Sequence, residues 1–341
     1  MPLFSLAFLL RAALSTLPVL LFLGALVLID SYKLVRLRTV LFSIAAGALA
    51  AGVAYLANSG LLNAVAMDIK LFARYVSPVI EEVVKGLYVV YLIRRARVGF
   101  VVDAAIHGFA VGAGFAVIEN IYYLNALPDV TIWTWVIRGF GTAVMHGGTT
   151  AIFGMISRTL YDRAESPRVR VFLPGLGIVI GLHSLFNHFL LPPLLSTVVL
   201  LLVLPGCMAL VFQQSEKSTR HWLGAGFDSD QELLALIHSG QVAGTRVGRY
   251  LQALKTRFSG PVVVDMLCLL RLHVELSIRA KGVLMLRERG FRVSPDPNLR
   301  AKFDELRYLE KSISPTGMLA IAPFLHTSSR DLWQRNMLSE I

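Results

Sequence analysis

The residues with chemical potential in this chain fall in four short stretches. The first is Ser77-Pro78-Val79-Ile80-Glu81-Glu82-Val83-Val84-Lys85. The second is Phe115-Ala116-Val117-Ile118-Glu119-Asn120. The third holds Arg138, then His146 and Thr150, and the fourth His183 and Asn187. Carboxylates can take a proton from water, imidazoles can donate, accept or ligate a metal, and amide or hydroxyl groups can bind a developing oxyanion. Together these types supply what hydrolysis by an activated water requires. Glu81 and Lys85 are four apart, so they share a helix face and can pair. Glu82 points about 100° away from Glu81 and meets different surroundings. Either carboxylate can serve as the base, and the face shared with Lys85 favours Glu81. His146 with Thr150, and His183 with Asn187, are each four apart on one face.

The elements that carry these groups are apolar. The chain of 341 residues is 55% hydrophobic and 16% charged, whereas an average domain carries about 25% charged residues. The apolar excess lies in residues 1–212, and 213–341 has ordinary soluble composition, so a transmembrane domain followed by a soluble domain is expected. A helix needs about 20 mostly apolar residues to cross a bilayer. Seven runs qualify, near 12–29, 39–57, 71–93, 103–124, 133–157, 171–190 and 194–212. The first run reads as a retained span rather than a cleaved signal, since it lacks a basic lead and a small-residue cleavage site. The loops between runs alternate basic and neutral along the chain. This alternation predicts an N-terminus outside and a tail in the cytoplasm of a bacterial membrane. The fold expected is all-α: a polytopic bundle of about seven spans and a mostly helical C-terminal domain. Tail helices are predicted over 228–239, 245–258, 262–289 and 298–311.

Charge and cysteines exclude other classes. The net charge of +11 comes largely from topology-setting loops, so no nucleic-acid partner is expected. The tail holds 18 Lys and Arg against 13 Asp and Glu, which suits a domain near an anionic leaflet. Cys207 and Cys268, the two cysteines, build neither a disulfide framework nor a metal site.

Each polar group also has a plain structural role open to it. Glu81 or Glu82 can form a buried ion pair with Lys85, and Arg138 can simply neutralise Glu119. Asn120, Thr150 and Asn187 can join helices by hydrogen bonds. Gly108, Gly112, Gly114, Gly177 and Gly181 read as close-packing positions, and Asp103 and His107 as interfacial. The set as a whole resists that reading. Ionisable groups at a span centre cost about 2.5–3.5 kcal/mol each and usually mark function. At 1.5 Å rise per residue, Glu81, Glu119, His146 and His183 each lie roughly 8–20 Å below the outer end of their spans. Helices running in opposite directions therefore place them at one depth.

At these four motifs, in order on consecutive spans over about residues 70–190, the chain resembles the PrsW family of intramembrane proteases. That family is related to the group containing the CAAX-processing endopeptidases. The resemblance implies hydrolysis of a peptide bond in a membrane protein, with anti-sigma factors among the regulators such enzymes cut. It assigns water activation to Glu81 or Glu82, the oxyanion to His183 and Asn187, and assistance to His146, with Lys85, Asn120, Arg138 and Thr150 supporting. Glu119 stands where the CAAX-type pattern has His, which points to PrsW rather than to CAAX processing. It leaves open whether Glu119 takes part in chemistry or only holds Arg138. His146, His183 and Glu119 can also form a His₂Glu zinc site. A metal-free mechanism is preferred, because the resemblance gives His183 to the oxyanion. The implied partner is a membrane-protein substrate, in lipid; a cytoplasmic regulator of the tail is expected only from the tail's position after the last span, since the resemblance does not cover it. The other classes open to these residues are a proton-coupled transporter or channel and a non-catalytic scaffold.

Overall fold

The computed structural model describes residues 6–65, 67–127, 129–164, 168–291, 293–294, 296–325 and 329–339. Every regular element among them is helical. The chain divides into two compact units, Met1–Ser215 and Glu216–Ile341.

The first unit contains α1 (Leu6–Leu28), α2 (Leu37–Ala64), α3 (Ser77–Arg94), α4 (Val101–Ala126), α5 (Val144–Arg163), α6 (Leu173–Asn187) and the first part of α7 (Pro193–His238). All seven apolar runs thus fold as helix. Five helical segments are long and apolar enough to cross a membrane: Leu6–Leu28, Leu37–Ala64, Val101–Ala126, Val169–Asn187 and Pro193–His238. The two runs outside that set are those of α3 and α5, which carry Glu81, Glu82, Lys85 and His146. Each of these two helices is entered through a π-helical turn, Phe72–Val76 before α3 and Arg138–Ala143 before α5. Such turns cluster at functional sites because they leave helix groups unbonded within the ladder. The chain is an all-α membrane protein.

Helix α4 is the axis of this unit. It is buried along nearly its whole length and packs against α1, α2 and α5. Its glycines allow that approach. A Cβ added at Gly112 would lie 2.1 Å from the carbonyl oxygen of His146, and one at Gly114 would lie 2.0 Å from that of Ile44. Gly108 meets the Thr150 carbonyl oxygen in the same way at 2.5 Å. The backbone that carries His146 is therefore seated directly on α4. Gly177 and Gly181 do not follow this pattern: nothing lies within 4 Å of an added Cβ at either, so α6 gains no close contact through them. Asp103 and His107 are both buried among the helices. Asp103 caps the start of α4 by accepting from the Gly99 and Phe100 amides at 2.7 and 2.8 Å, and His107 Nδ1 meets Ser43 Oγ at 2.8 Å.

The second unit comprises the end of α7 with α8 (Arg246–Leu254), α9 (Gly260–Glu288), α10 (Leu299–Ser312), α11 (Ser314–Ile321) and α12 (Ser329–Ser339). Helix α9 is its centre, packing against α8, α10, α11 and α12, and it is not among the membrane-crossing segments. The first tail helix does not begin anew at Asp228. It is the end of α7, a single helix over Pro193–His238. Lys281 is buried here and donates to Asp230 Oδ2 at 2.7 Å and to the Gly226 carbonyl at 2.9 Å.

The glycine contacts set a stability test. Gly112→Ala should lower the stability of the full-length protein by about 1–3 kcal/mol, the usual cost of overpacking a filled interior. Gly177→Ala, facing open space, should leave it unchanged or slightly raised. Thermal unfolding of both variants in the same detergent checks the pair, and equal midpoints would remove α4 as the seat of His146.

Candidate active site

The site is built on four helices of the first unit. Lys85 of α3 is its centre. Its ammonium donates to Glu82 Oε1 at 2.6 Å and to His146 Nδ1 of α5 at 3.1 Å, and stands 4.9 Å from the centre of the Phe115 ring of α4. The Lys85 and Glu82 side chains are 0% and 1% exposed. Glu82 Oε1 also accepts from Thr149 Oγ1 at 3.2 Å and lies 2.7 Å from His183 Nδ1 of α6. Lysine offers donors alone, so His146 Nδ1 is an acceptor and its Nε2–H is directed at Glu119 Oε2, 3.1 Å away. A carboxylate accepts, so His183 carries its proton on Nδ1, and Nε2 keeps a lone pair. That nitrogen faces Glu81 Oε2 at 3.8 Å.

The expected pairing of Glu81 with Lys85 is not formed. Residues three and four apart both lie within reach of Lys85 on a helix, so the neighbours decide. Thr149 and His183 stand on the Glu82 side and, with Lys85, supply three donors to one buried oxygen. Glu81 turns instead toward Ser77 Oγ, which donates to its Oε1 at 2.6 Å, and Asn58 Nδ2 of α2, at 3.5 Å. Glu119 is held by Arg138, 3.4 Å from Nη2, and Arg138 Nε donates to Asn120 Oδ1 at 2.8 Å. Asn120 Nδ2 is anchored on the Ser15 carbonyl at 2.6 Å, and the Arg138 guanidinium lies 3.9 Å from the Tyr123 ring centre. Of the three carboxylates, Glu82 has Lys85 and Glu119 has Arg138. Glu81 has no Lys or Arg partner among the described residues.

Two of the sequence-selected residues do other work. Thr150 Oγ1 bonds its own helix at the His146 carbonyl, 2.9 Å away, and it is Thr149 that reaches the site. Asn187 lies one turn beyond His183 on the same helix, but its side chain is engaged with backbone rather than with the acidic groups. Its Nδ2 donates to the Ala73 carbonyl at 2.9 Å, while Ser184 Oγ donates to the Arg74 carbonyl at 2.6 Å. Pro78 explains both bonds. In the π-helical turn the Ser77 amide bonds to Phe72, and Pro78 has no N–H to offer, so the carbonyls of Ala73 and Arg74 are left over. Two polar side chains of α6 take them, which docks α6 against α3 and brings His183 to Glu82. Sequence reading passed over Asn58, Ser77 and Thr149. Polar residues are common in such helices; Ser77 four before Glu81 and Thr149 three after His146 carry a spacing signal, and Asn58 carries none.

The arrangement can bind a cation. Glu81, His146 and His183 each offer one ligand atom, all within 4.8 Å of one another. The sequence grouping of His146 and His183 with Glu119 is changed in one member, because Glu119 is drawn off by Arg138. The donor set suits zinc, which takes His and carboxylate ligands. His146, whose Nδ1 meets Lys85, would ligate through Nε2 only once the proton it directs at Glu119 is displaced. In His183, Nδ1–H is held by Glu82, which leaves the Nε2 lone pair to face the site, as outer carboxylates do for ligating imidazoles. The uncompensated charge of Glu81 favours a cation for the same reason.

Removing the central cation isolates its role. Lys85→Met leaves Glu82 buried without a counter-charge and should cost about 3–5 kcal/mol. Lys85→Met combined with Glu82→Gln should recover part of that loss. Chemical denaturation in detergent measures both, and a double variant no more stable than the single one would separate Glu82 from Lys85 energetically.

The comparisons bear on the same helices. The model of the family described as PrsW family intramembrane metalloprotease matches residues 35–212. No curated protein matches the chain, and no solved structure does. The matched stretch is just over half of the sequence and contains every residue of the constellation from Asn58 to Asn187. This chain belongs to the PrsW family and is an intramembrane protease, a peptidase acting on membrane proteins within the bilayer.

Proposed function

We propose that the chain hydrolyses a peptide bond of a membrane protein at the face where Glu81 and Glu119 meet, with Glu82 and Lys85 as fixed supports. The observation that carries this reading is the separation of roles among the carboxylates. Glu82 is closed off and saturated with donors. Glu81 and Glu119 both line an open cavity between α2 and α4, where a substrate carbonyl can arrive. This departs from the expectation that Glu81 or Glu82 is the base, because Glu81 is grouped with two histidines and Glu82 has no access to the cavity.

Glu81, His146 and His183 would hold a zinc ion. Bound there, zinc would supply a Lewis acid that lowers the pKa of water to about 7 and offsets charge on the carbonyl oxygen. The chain's own groups do the rest. Glu82 keeps the His183 proton on Nδ1, so that Nε2 stays turned to the site. Lys85 holds His146 at Nδ1 and balances Glu82, and His146 would release its Nε2 proton on taking up the ion. Glu119 accepts the proton of the attacking water at Oε2 and returns it to the amine that leaves. Arg138, set by Asn120, positions that carboxylate. The low-dielectric surroundings strengthen each of these contacts.

The substrate is a membrane protein, and the resemblance favours a regulator of the anti-sigma-factor kind. The loop charges favour a tail on the cytoplasmic side, where it can meet a regulatory partner. The family match leaves the transporter and scaffold readings without support.

Metal content and activity separate the two cavity carboxylates. In purified full-length protein, Glu81→Gln should lose bound zinc and activity together. Glu119→Gln should keep zinc and lose activity by about 10²–10⁴-fold, the usual worth of a general base. Elemental analysis and cleavage of membrane proteins in the host membrane give the two readouts. Zinc lost from Glu119→Gln and kept in Glu81→Gln would exchange their roles.

A further inference from the structure

The cavity that Glu81 and Glu119 line extends well beyond them. Its volume is about 380 Å³, within the range of roughly 300–1,000 Å³ typical of ligand sites. Its wall on α2 includes the small residues Ala51, Gly52 and Ala54 beside Tyr55, and its opposite wall includes Phe115 and Tyr122 of α4. The small residues leave room for a large apolar group against the rings. The rim is open: Tyr55 and Tyr122, with ring centres 5.2 Å apart, are 51% and 47% exposed.

One polar atom marks what kind of molecule fits. Asn58 projects into this cavity from α2. Its Nδ2 donates to Ser77 Oγ at 2.8 Å and to Glu81 Oε1, which fixes the amide and turns Oδ1 the other way. Oδ1 is buried and has no hydrogen-bond partner among the described residues. A buried acceptor without a donor is costly, so an occupant that brings an N–H gains by entering. A lipid tail has none. The backbone of an extended peptide does, whereas the amides of an intact helix are already used.

We infer that this cavity is the substrate's specificity pocket: it takes a bulky apolar side chain next to the scissile bond, from a locally unwound segment whose backbone N–H is accepted by Asn58 Oδ1. The inference rests on the proteolytic reading above. It makes the enzyme select leucine, phenylalanine or methionine beside the cut, and it places the bond on the Glu81–Glu119 side of the pocket. Asn58 is then a positioning residue for the substrate as well as a partner of Glu81.

Gly52 gives the test, because it lines the pocket and a Cβ added to it meets nothing within 4 Å. Larger side chains there fill the slot without disturbing the packing of α2. New protein N-termini in the membrane fraction are mapped by mass spectrometry in cells expressing the full chain as wild type, Gly52→Val, Gly52→Leu or Glu81→Gln, at matched accumulation. The wild type should yield termini, absent with Glu81→Gln, that carry a large apolar residue at one fixed position beside the cut. Gly52→Leu should reduce those products at least tenfold while products with Ala, Gly or Ser at that position persist or rise, and Gly52→Val should fall between. Wild-type termini that appear in unchanged proportions in both Gly52 variants would overturn the pocket and leave the protease reading intact. Termini identical in wild type and Glu81→Gln would overturn both.

Discussion

One buried ammonium organises the active site. Lys85 has no solvent to share its charge with, and a charged side chain at a span centre costs about 2.5–3.5 kcal/mol unless something compensates it. Its compensation comes from Glu82 one turn back on the same helix, His146 on α5 and the face of the Phe115 ring on α4. Three helices are thereby drawn to one point. Because lysine can only donate, it also sets which nitrogen of His146 faces the site. Glu82, neutralised in this way, can accept from His183 and set that ring too. The orientation of both imidazoles thus follows from one cation.

The backbone supplies the second constraint. Pro78 cannot donate, and the π-helical turn before it shifts the Ser77 amide to Phe72. The carbonyls of Ala73 and Arg74 must then find donors from outside, since an unsatisfied carbonyl in an apolar surround is expensive. Asn187 and Ser184 provide them. A defect in one helix is thus what fastens the next. On the other side, Gly108 and Gly112 let α4 touch the backbone of α5 at Thr150 and His146, which fixes the depth of the His146 ring. The polar site rests on two unlike supports: glycine contact, which is steric, and freed carbonyls, which are electrostatic.

Charge balance then sorts the three carboxylates. Glu82 has Lys85, and Glu119 has Arg138, itself held by Asn120. Glu81 has only the hydroxyl of Ser77 and the amide of Asn58, with His183 Nε2 across from it. The least compensated carboxylate stands beside two imidazole nitrogens on the wall of an open cavity.

Much of this was legible in the residues. Apolar runs of span length gave the helices, because a bilayer accepts backbone only as helix or closed barrel. The rarity of charge inside those runs singled out Glu81, Glu82, Lys85, Glu119, Arg138, His146 and His183, and all seven meet in space. Helical spacing could not say whether Lys85 pairs with Glu81 or Glu82, since both are within its reach and the difference lies in Thr149 and His183 on other helices. The resemblance gave Asn187 to the oxyanion, and sequence reading passed over the docking bonds of Asn187 and Ser184, because the carbonyls they serve are backbone atoms that no side-chain pattern reveals. It grouped Gly177 with Gly112, although one faces open space and the other a neighbouring backbone. The sequence by itself determined which elements form and which polar groups lie buried in them, because those depend on composition and period along one chain. Which of those groups pair, which carboxylate stays uncompensated and which walls enclose the cavity were decided only by the tertiary structure, because each depends on neighbours up to about a hundred residues away.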